Sequence, residues 1–267
     1  MNEMKIGCCV RPEDIRYIAE IGYDFTELSG ATVAAMSSRD FHDLMNSVDQ
    51  AGIPCLRLNA ALTPNIKICG DGYDRNTVEE YAKTLCCRAQ KLGVKKIGIG
   101  SPNSRADILR FSEELAWLQA KEFLKVFSFV GEKYGISILW ETLNPEETYF
   151  GISTLQSAKQ LVCPLIEDNI SSGLVADIYH MNKNNEGIDV LRQVIDYVEH
   201  IHIAGNSVQS RGFPDEQFFL NHYMMFDLIN RKKNLLVSVE AFQGDLYTDA
   251  EKTLTAYRNA CRRFGWE

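Results

Sequence analysis

The sequence predicts an α/β protein folded as a single closed (β/α)8, or TIM, barrel, and three observations lead to this prediction. Short apolar segments alternate with longer segments of helical periodicity, and eight such pairs fit into 267 residues. The apolar segments are nearly continuous, which is typical of parallel strands covered by helices. No linker, low-complexity stretch or block of like charges divides the chain. We therefore expect one barrel domain over residues 1–267.

The first half of the chain shows the alternation plainly. KIGCC (5–9) is an apolar run of strand length, and Pro12 suits the first turn of the helix after it. Gly22, Gly52 and Gly93 each follow a helical pattern and are expected to end a helix. The predicted elements of this half are a strand at 5–9, a helix from Pro12 through Ile21, a strand at 23–28, a helix at 38–51, a strand at 53–59, a helix at 76–92 and a strand at 94–100.

The second half repeats the pattern four more times. Its predicted elements are a helix at 112–134, a strand at 136–141, a helix at 153–162, a strand at 172–177, a helix at 188–196, a strand at 200–204, a helix at 216–230, a strand at 235–240 and a helix at 248–264. An open doubly wound sheet is the alternative architecture. The first strand lacks the G-x-G-x-x-G turn of a dinucleotide site, and Gly98 and Gly100 have no third glycine at the required offset. The barrel is therefore favoured.

Charge and composition exclude several classes of function. The net charge is −8, which argues against a general affinity for nucleic acid or for anionic membranes. No apolar run approaches bilayer length and no secretory signal pattern opens the chain, so we expect a cytoplasmic protein. The eight cysteines include no C-x-x-C pair and are expected to be reduced and mostly buried. Cys8 lies near the end of the first predicted strand, and core packing is expected even there.

Acidic residues and one histidine mark the ends of four consecutive predicted strands. Glu141 ends the fifth strand, Asp177 the sixth and Glu240 the eighth, while His202 lies in the seventh. In a (β/α)8 barrel these ends meet at one mouth, where active sites are built. Unpaired buried carboxylates are costly, and a cation removes that cost. Three oxygen donors and one nitrogen suit a divalent ion such as Mn²⁺, Mg²⁺ or Co²⁺.

Three further polar residues near these ends have alternative interpretations. His180, three residues after Asp177, fits a functional position and a capping position equally well. His200 shares a strand face with His202 but lies deeper, so we expect it to be a packed polar residue. Arg211 follows the seventh strand in a loop, where most arginines are solvated.

The same segments resemble a known family. ETLNPEETYFGIS, GLVADIYHMN, HIHIAGN and VSVEAF, together with GYDFTEL near the start, are similar to the xylose isomerase-like barrels, and in particular to their sugar isomerase and ketose 3-epimerase branch. The resemblance implies that Glu141, Asp177, His202 and Glu240 bind the metal. It also implies that three further residues contact the sugar. These are Glu147, His180 and Arg211. Cys8 and Cys9 stand where the ketose epimerases tend to have aromatic residues, so the sugar is left open.

The resemblance implies a metal-dependent enzyme that acts on a ketose or a related small polyol. One divalent ion, Mn²⁺ in the first place, would stabilise an enediolate while Glu141 and Glu240 transfer the proton. A sugar isomerase, a dehydratase or C-glycoside lyase on the same scaffold, and a non-catalytic sugar-binding accessory subunit are the alternatives. A DNA-repair endonuclease would need more metal ligands at the third and fourth strand ends, where Asn59 and Ser101 stand instead. The expected partner is a small sugar, without nucleic acid or membrane, and a homo-oligomer is left open.

Overall fold

The computed structural model describes residues 4–105, 111–147, 152–205, 210–232 and 234–266. Eight parallel strands form one closed barrel in chain order, with the first strand paired to the eighth. This confirms the predicted (β/α)8 fold. The strands are β1 (Ile6–Cys9), β2 (Phe25–Ser29), β3 (Cys55–Asn59), β4 (Lys96–Ile99), β5 (Ser137–Glu141), β6 (Ser172–Asp177), β7 (Val198–Ile203) and β8 (Val237–Val239).

Helices surround the barrel and bury one face each against it. The described helices are α1 (Ile15–Ile21), α2 (Gly30–Ala35), α3 (Ser38–Ala51), α4 (Arg75–Lys91), α5 (Glu113–Lys133), α6 (Leu155–Glu167), α7 (Ile178–Lys183), α8 (Ile188–Val194), α9 (Glu216–Asn221), α10 (Tyr223–Arg231) and α11 (Leu246–Phe264). Phe123 and Phe127 on the inner face of α5 are fully buried, as is Trp140 on β5. Burying such a side chain contributes about 1.5–3 kcal/mol. The core lies between the surrounding helices and the sheet.

Local signals explain where the helices begin and end. Ser37, Asp74 and Ser112 each cap a helix N-terminus by accepting a hydrogen bond from a backbone N–H three residues on. At the other end, α1 and α3 stop at Gly22 (φ 94°) and Gly52 (φ 68°). Glycine adopts this left-handed conformation without steric cost, which is why both helices end there.

Several element boundaries differ from the prediction. The helix expected at 216–230 is two helices, separated at His222, whose backbone (φ −108°, ψ 16°) is not helical. The helix expected at 153–162 continues through Pro164 to Glu167. The eighth strand is three residues long, so Glu240 lies just past it. In the described ranges no helix is long and apolar enough to cross a membrane.

Candidate metal centre

Four polar side chains from neighbouring strand ends point to one place. One donor atom each from Glu141, Asp177, His202 and Glu240 lies within 4.8 Å of the other three, and all four residues are buried. The Nδ1 atom of His202 is 3.1 Å from Oε1 of Glu141 and 3.6 Å from Oε2 of Glu240. The structure thus brings together the four residues that the sequence nominated as ligands.

The barrel register explains why these side chains meet. Asp177 pairs with His202 across β6 and β7, so the two side chains lie at one height. Asp177 also begins α7, and its Oδ1 atom accepts the N–H of Tyr179 at 2.8 Å. The other oxygen is thereby left to face the cluster. Glu240 is held after β8 by a bond from its own N–H to the carbonyl of Ile203, at 2.9 Å.

Burial and the neighbouring charges shift the pKa values of the two glutamates in opposite directions. Burial raises the pKa of Glu240 to about 7, and the Glu141 and Asp177 carboxylates add to that rise although His202 and Arg211 oppose it. Burial also acts to raise the pKa of Glu141, but there His202 outweighs it and the pKa is lowered. The cluster therefore concentrates negative charge that a cation would relieve.

Glu27, which the sequence analysis did not nominate, lies beneath the cluster. Its two oxygens face the Nε2 atoms of His200 at 2.8 Å and of His202 at 3.1 Å, and it is 1 % exposed. Burial opposes the ionisation of Glu27, but the two imidazoles outweigh it and hold its pKa well below the usual range. The sequence feature that could have identified Glu27 is that it is the one acidic residue of the buried strand β2.

Asn59 at the end of β3 connects the cluster to β1. Its Nδ2 atom donates to Oε1 of Glu240 at 2.7 Å and lies 3.3 Å from the sulfur of Cys9. Cys9 is half-buried, whereas Cys8 is 1 % exposed and packs in the core. Cys8 is therefore a core residue as expected, and the thiol beside the cluster is that of Cys9.

Arg211 lies against the same carboxylates. Its Nη2 atom is 3.0 Å from Oδ2 of Asp177 and also contacts Oε2 of Glu240. The guanidinium is stacked between the rings of Tyr179 and Phe242, with centroid distances of 5.1 and 4.4 Å. Arg211 is thus buried and paired rather than solvated, and it supplies positive charge at one side of the cluster.

His180 is buried beside Asp177 with one ring nitrogen uncommitted. Its Nδ1 atom accepts the backbone N–H of Asn144 at 3.2 Å. Burial lowers the pKa of His180, so the neutral ring carries its proton on Nε2. That Nε2 atom has no hydrogen-bond partner among the described residues and lies 3.5 Å from Oδ2 of Asp177. His180 therefore does not cap a helix, and its N–H is free to donate.

Glu147 lies beside Arg211 at the more exposed edge of the site. Its Oε1 atom accepts from Nη1 of Arg211 at 3.2 Å and from Nδ2 of Asn144 at 3.3 Å. About a third of its side chain is exposed, in contrast to the buried donors below. Arg211 and His180 therefore lie against Asp177 of the four-donor cluster, while Glu147 contacts Arg211 and is the most exposed of the three.

The donor set fits a divalent cation. Three carboxylates and one imidazole are buried together, and Arg211 contacts two of the carboxylates, those of Asp177 and Glu240. Oxygen-rich donors with one nitrogen suit hard or borderline ions, and no cysteine is among the four. Glu141, Asp177, His202 and Glu240 are the residues that would hold the ion.

The chain matches a family of known proteins over most of its length. A model of the xylose isomerase-like TIM barrel matches residues 15–262. The chain belongs to this family. The membership confirms the family that the strand-end motifs predicted. No curated protein matches the chain in sequence.

Several solved structures are similar to nearly the whole chain. The 3-keto-D-glucoside 4-epimerase YcjR from E. coli is 20 % identical with a TM-score of 0.73, covering 98 % of this chain and 99 % of that one. D-psicose 3-epimerase from Clostridium cellulolyticum H10 is 17 % identical, with a TM-score of 0.73 and the same coverages. AP endonuclease, family 2, from Brucella melitensis is 17 % identical with a TM-score of 0.77, covering 96 % and 98 %. Similarity at this level shows a shared fold.

Proposed function

We propose that the protein is a divalent-metal-dependent sugar epimerase or isomerase that transfers a proton at a carbon next to the carbonyl of a ketose or related small polyol. The observation that carries the proposal is that two glutamates, Glu141 and Glu240, place carboxylate oxygens 3.1 and 3.6 Å from His202 Nδ1. They extend from β5 and β8, so they approach the centre of the barrel mouth from different directions. Two solved structures with this fold are named as epimerases, which supports the same class.

The reaction needs one carboxylate to take a proton and another to return it. Glu141 and Glu240 would serve as this pair. When bound, the ion polarises the sugar carbonyl and stabilises the negative charge that develops as the proton leaves. We infer Mn²⁺ as the resident ion, with Mg²⁺ and Co²⁺ as alternatives, because the donors are mainly oxygen.

The surrounding residues would bind and orient the sugar. The uncommitted Nε2–H of His180 is positioned to donate to a sugar oxygen. Arg211 and Glu147 offer donor and acceptor groups next to each other, which suits adjacent hydroxyl groups. The stacking of Arg211 on Tyr179 and Phe242 restrains the guanidinium, so little freedom is lost on binding.

The test is a panel of ketoses and aldoses incubated in deuterated water and followed by NMR. We expect deuterium exchange next to the carbonyl that requires added Mn²⁺ and stops with a chelator. Exchange at C3 assigns an epimerase, and exchange at C1 or C2 assigns an isomerase. Loss of water or of an aglycone would assign the lyase instead. A protein that binds sugar but neither binds a divalent ion nor exchanges protons would be an accessory subunit.

A further inference from the structure

The buried carboxylate of Glu27 holds two histidines that are neighbours on one strand. Glu27 lies on β2 and His200 and His202 lie on β7, so the contacts cross the barrel interior. The two imidazole rings are 4.8 Å apart and nearly perpendicular. All three residues are at most 1 % exposed, so solvent does not compete for these hydrogen bonds.

The chemistry of a carboxylate determines which imidazole nitrogen carries a proton. An ionised carboxylate only accepts hydrogen bonds, so Nε2 of His202 must donate to Glu27. In the neutral ring, a proton on Nε2 leaves the lone pair on Nδ1, where it would be available to a cation. That Nδ1 atom is the one directed at Glu141 and Glu240. Glu27 thereby selects both the tautomer and the orientation that the ion requires.

His200 keeps Glu27 in place. Its Nε2 atom donates to the second oxygen of Glu27, and its own Nδ1 atom has no hydrogen-bond partner among the described residues. With one oxygen held by each histidine, the carboxylate cannot rotate away from His202.

We propose that Glu27 is a positioning residue for the metal centre: it fixes His202 in the tautomer and orientation that bind the ion. The inference rests on the proposed metal site of the previous section. Hydrogen bonds of this kind behind a metal-bound histidine typically account for a 10–100-fold difference in metal affinity. Both oxygens of Glu27 are committed to His200 and His202, so Glu27 would act on the ion through His202.

Two substitutions separate the charge of Glu27 from its geometry. Glu27→Gln keeps an oxygen for His202 and removes the negative charge, and we expect Co²⁺ to bind about tenfold more weakly. Glu27→Leu removes the acceptor altogether, and we expect a loss of about a hundredfold with a changed visible spectrum of bound Co²⁺. The matched control is Glu186→Gln, since Glu186 is also buried and accepts a backbone N–H but lies apart from the cluster.

The dissociation constant and spectrum of Co²⁺ are measured by titration, beside the thermal midpoint of the metal-free protein. A purely structural role would lower the thermal midpoint and leave the affinity and spectrum of the folded protein unchanged. A folded Glu27→Gln protein whose Co²⁺ affinity is within about threefold of wild type, with the same spectrum, overturns the inference. If Glu27→Leu does not fold, the Glu27→Gln result decides alone. Wild-type protein that binds no Co²⁺ would instead overturn the proposed function.

Discussion

Replacing Gly100 by alanine should displace a metal ligand without changing any charge. Gly100 follows β4 and faces Glu141: a Cβ at residue 100 would lie 3.3 Å from Cδ of Glu141 and would overlap its Oε2 atom, far inside the 3.0 Å that Cβ atoms keep. The carboxylate must therefore retreat by on the order of 1 Å, a misplacement that can cost about a hundredfold in activity. We expect metal affinity to fall about 10–100-fold, equivalent to about 1.4–2.7 kcal/mol.

Gly98 on the same strand provides the matched control. A Cβ at residue 98 would lie 3.4 Å from Cγ2 of Val175, which is an ordinary van der Waals contact. Gly98→Ala should therefore bind Mn²⁺ like the wild type, and calorimetric titration of both variants gives the comparison. The thermal midpoints of the metal-free proteins show whether either variant is unfolded. A folded Gly100→Ala protein with wild-type Mn²⁺ affinity would refute the reasoning about Glu141.

Three further outcomes follow from the same geometry. Arg211→Ala should raise the KM for the sugar. It should not weaken Mn²⁺ binding, because it removes a positive charge that contacts the ligand carboxylates. Loss of metal from this variant would contradict the substrate role. Glu141→Gln and Glu240→Gln should each lower kcat more than about a hundredfold, as expected for loss of a general base, with metal content measured alongside. A Glu240→Gln protein that keeps its metal and exchanges substrate deuterium at the wild-type rate would exclude Glu240 as the base for that exchange. Burial lowers the pKa of His222, although its bond to Phe218 opposes this, so the unfolded chain takes up the proton first as the pH falls below about 6.5. The free energy of unfolding in urea should therefore fall from pH 7 to pH 5, and less so in His222→Gln; equal falls would refute the assignment.

The fold and the four converging donors could be predicted because both depend on local patterns. Eight apolar runs determine the barrel, and the C-terminal ends of parallel strands must meet at one mouth. Reading the last residue of each strand therefore found Glu141, Asp177 and Glu240, although Glu240 stands one residue beyond its short strand. His202 was found by the same reasoning, one residue before the end of β7.

The contacts behind the donors could not be predicted because they join strands that are distant in sequence. Glu27 lies on β2 and meets His202 across the barrel interior, although β2 and β7 are not paired strands. The alternation of side chains along a strand shows which face of the sheet Glu27 lies on. It does not show which residue Glu27 contacts across the barrel. The burial of Arg211 was missed for a similar reason, since its partners Asp177 and Phe242 come from separate parts of the chain.

Anomalous diffraction from crystals grown with Mn²⁺ shows whether one divalent ion is held by the four strand ends. We predict one strong anomalous peak with a donor atom of Glu141, Asp177, His202 and Glu240 each about 2.0–2.6 Å away, and Nδ1 as the donor of His202. The Nε2 atom of His202 should remain bonded to Glu27 in the same crystals. A map with no manganese among these four side chains, or a peak bound elsewhere on the chain, would contradict the account.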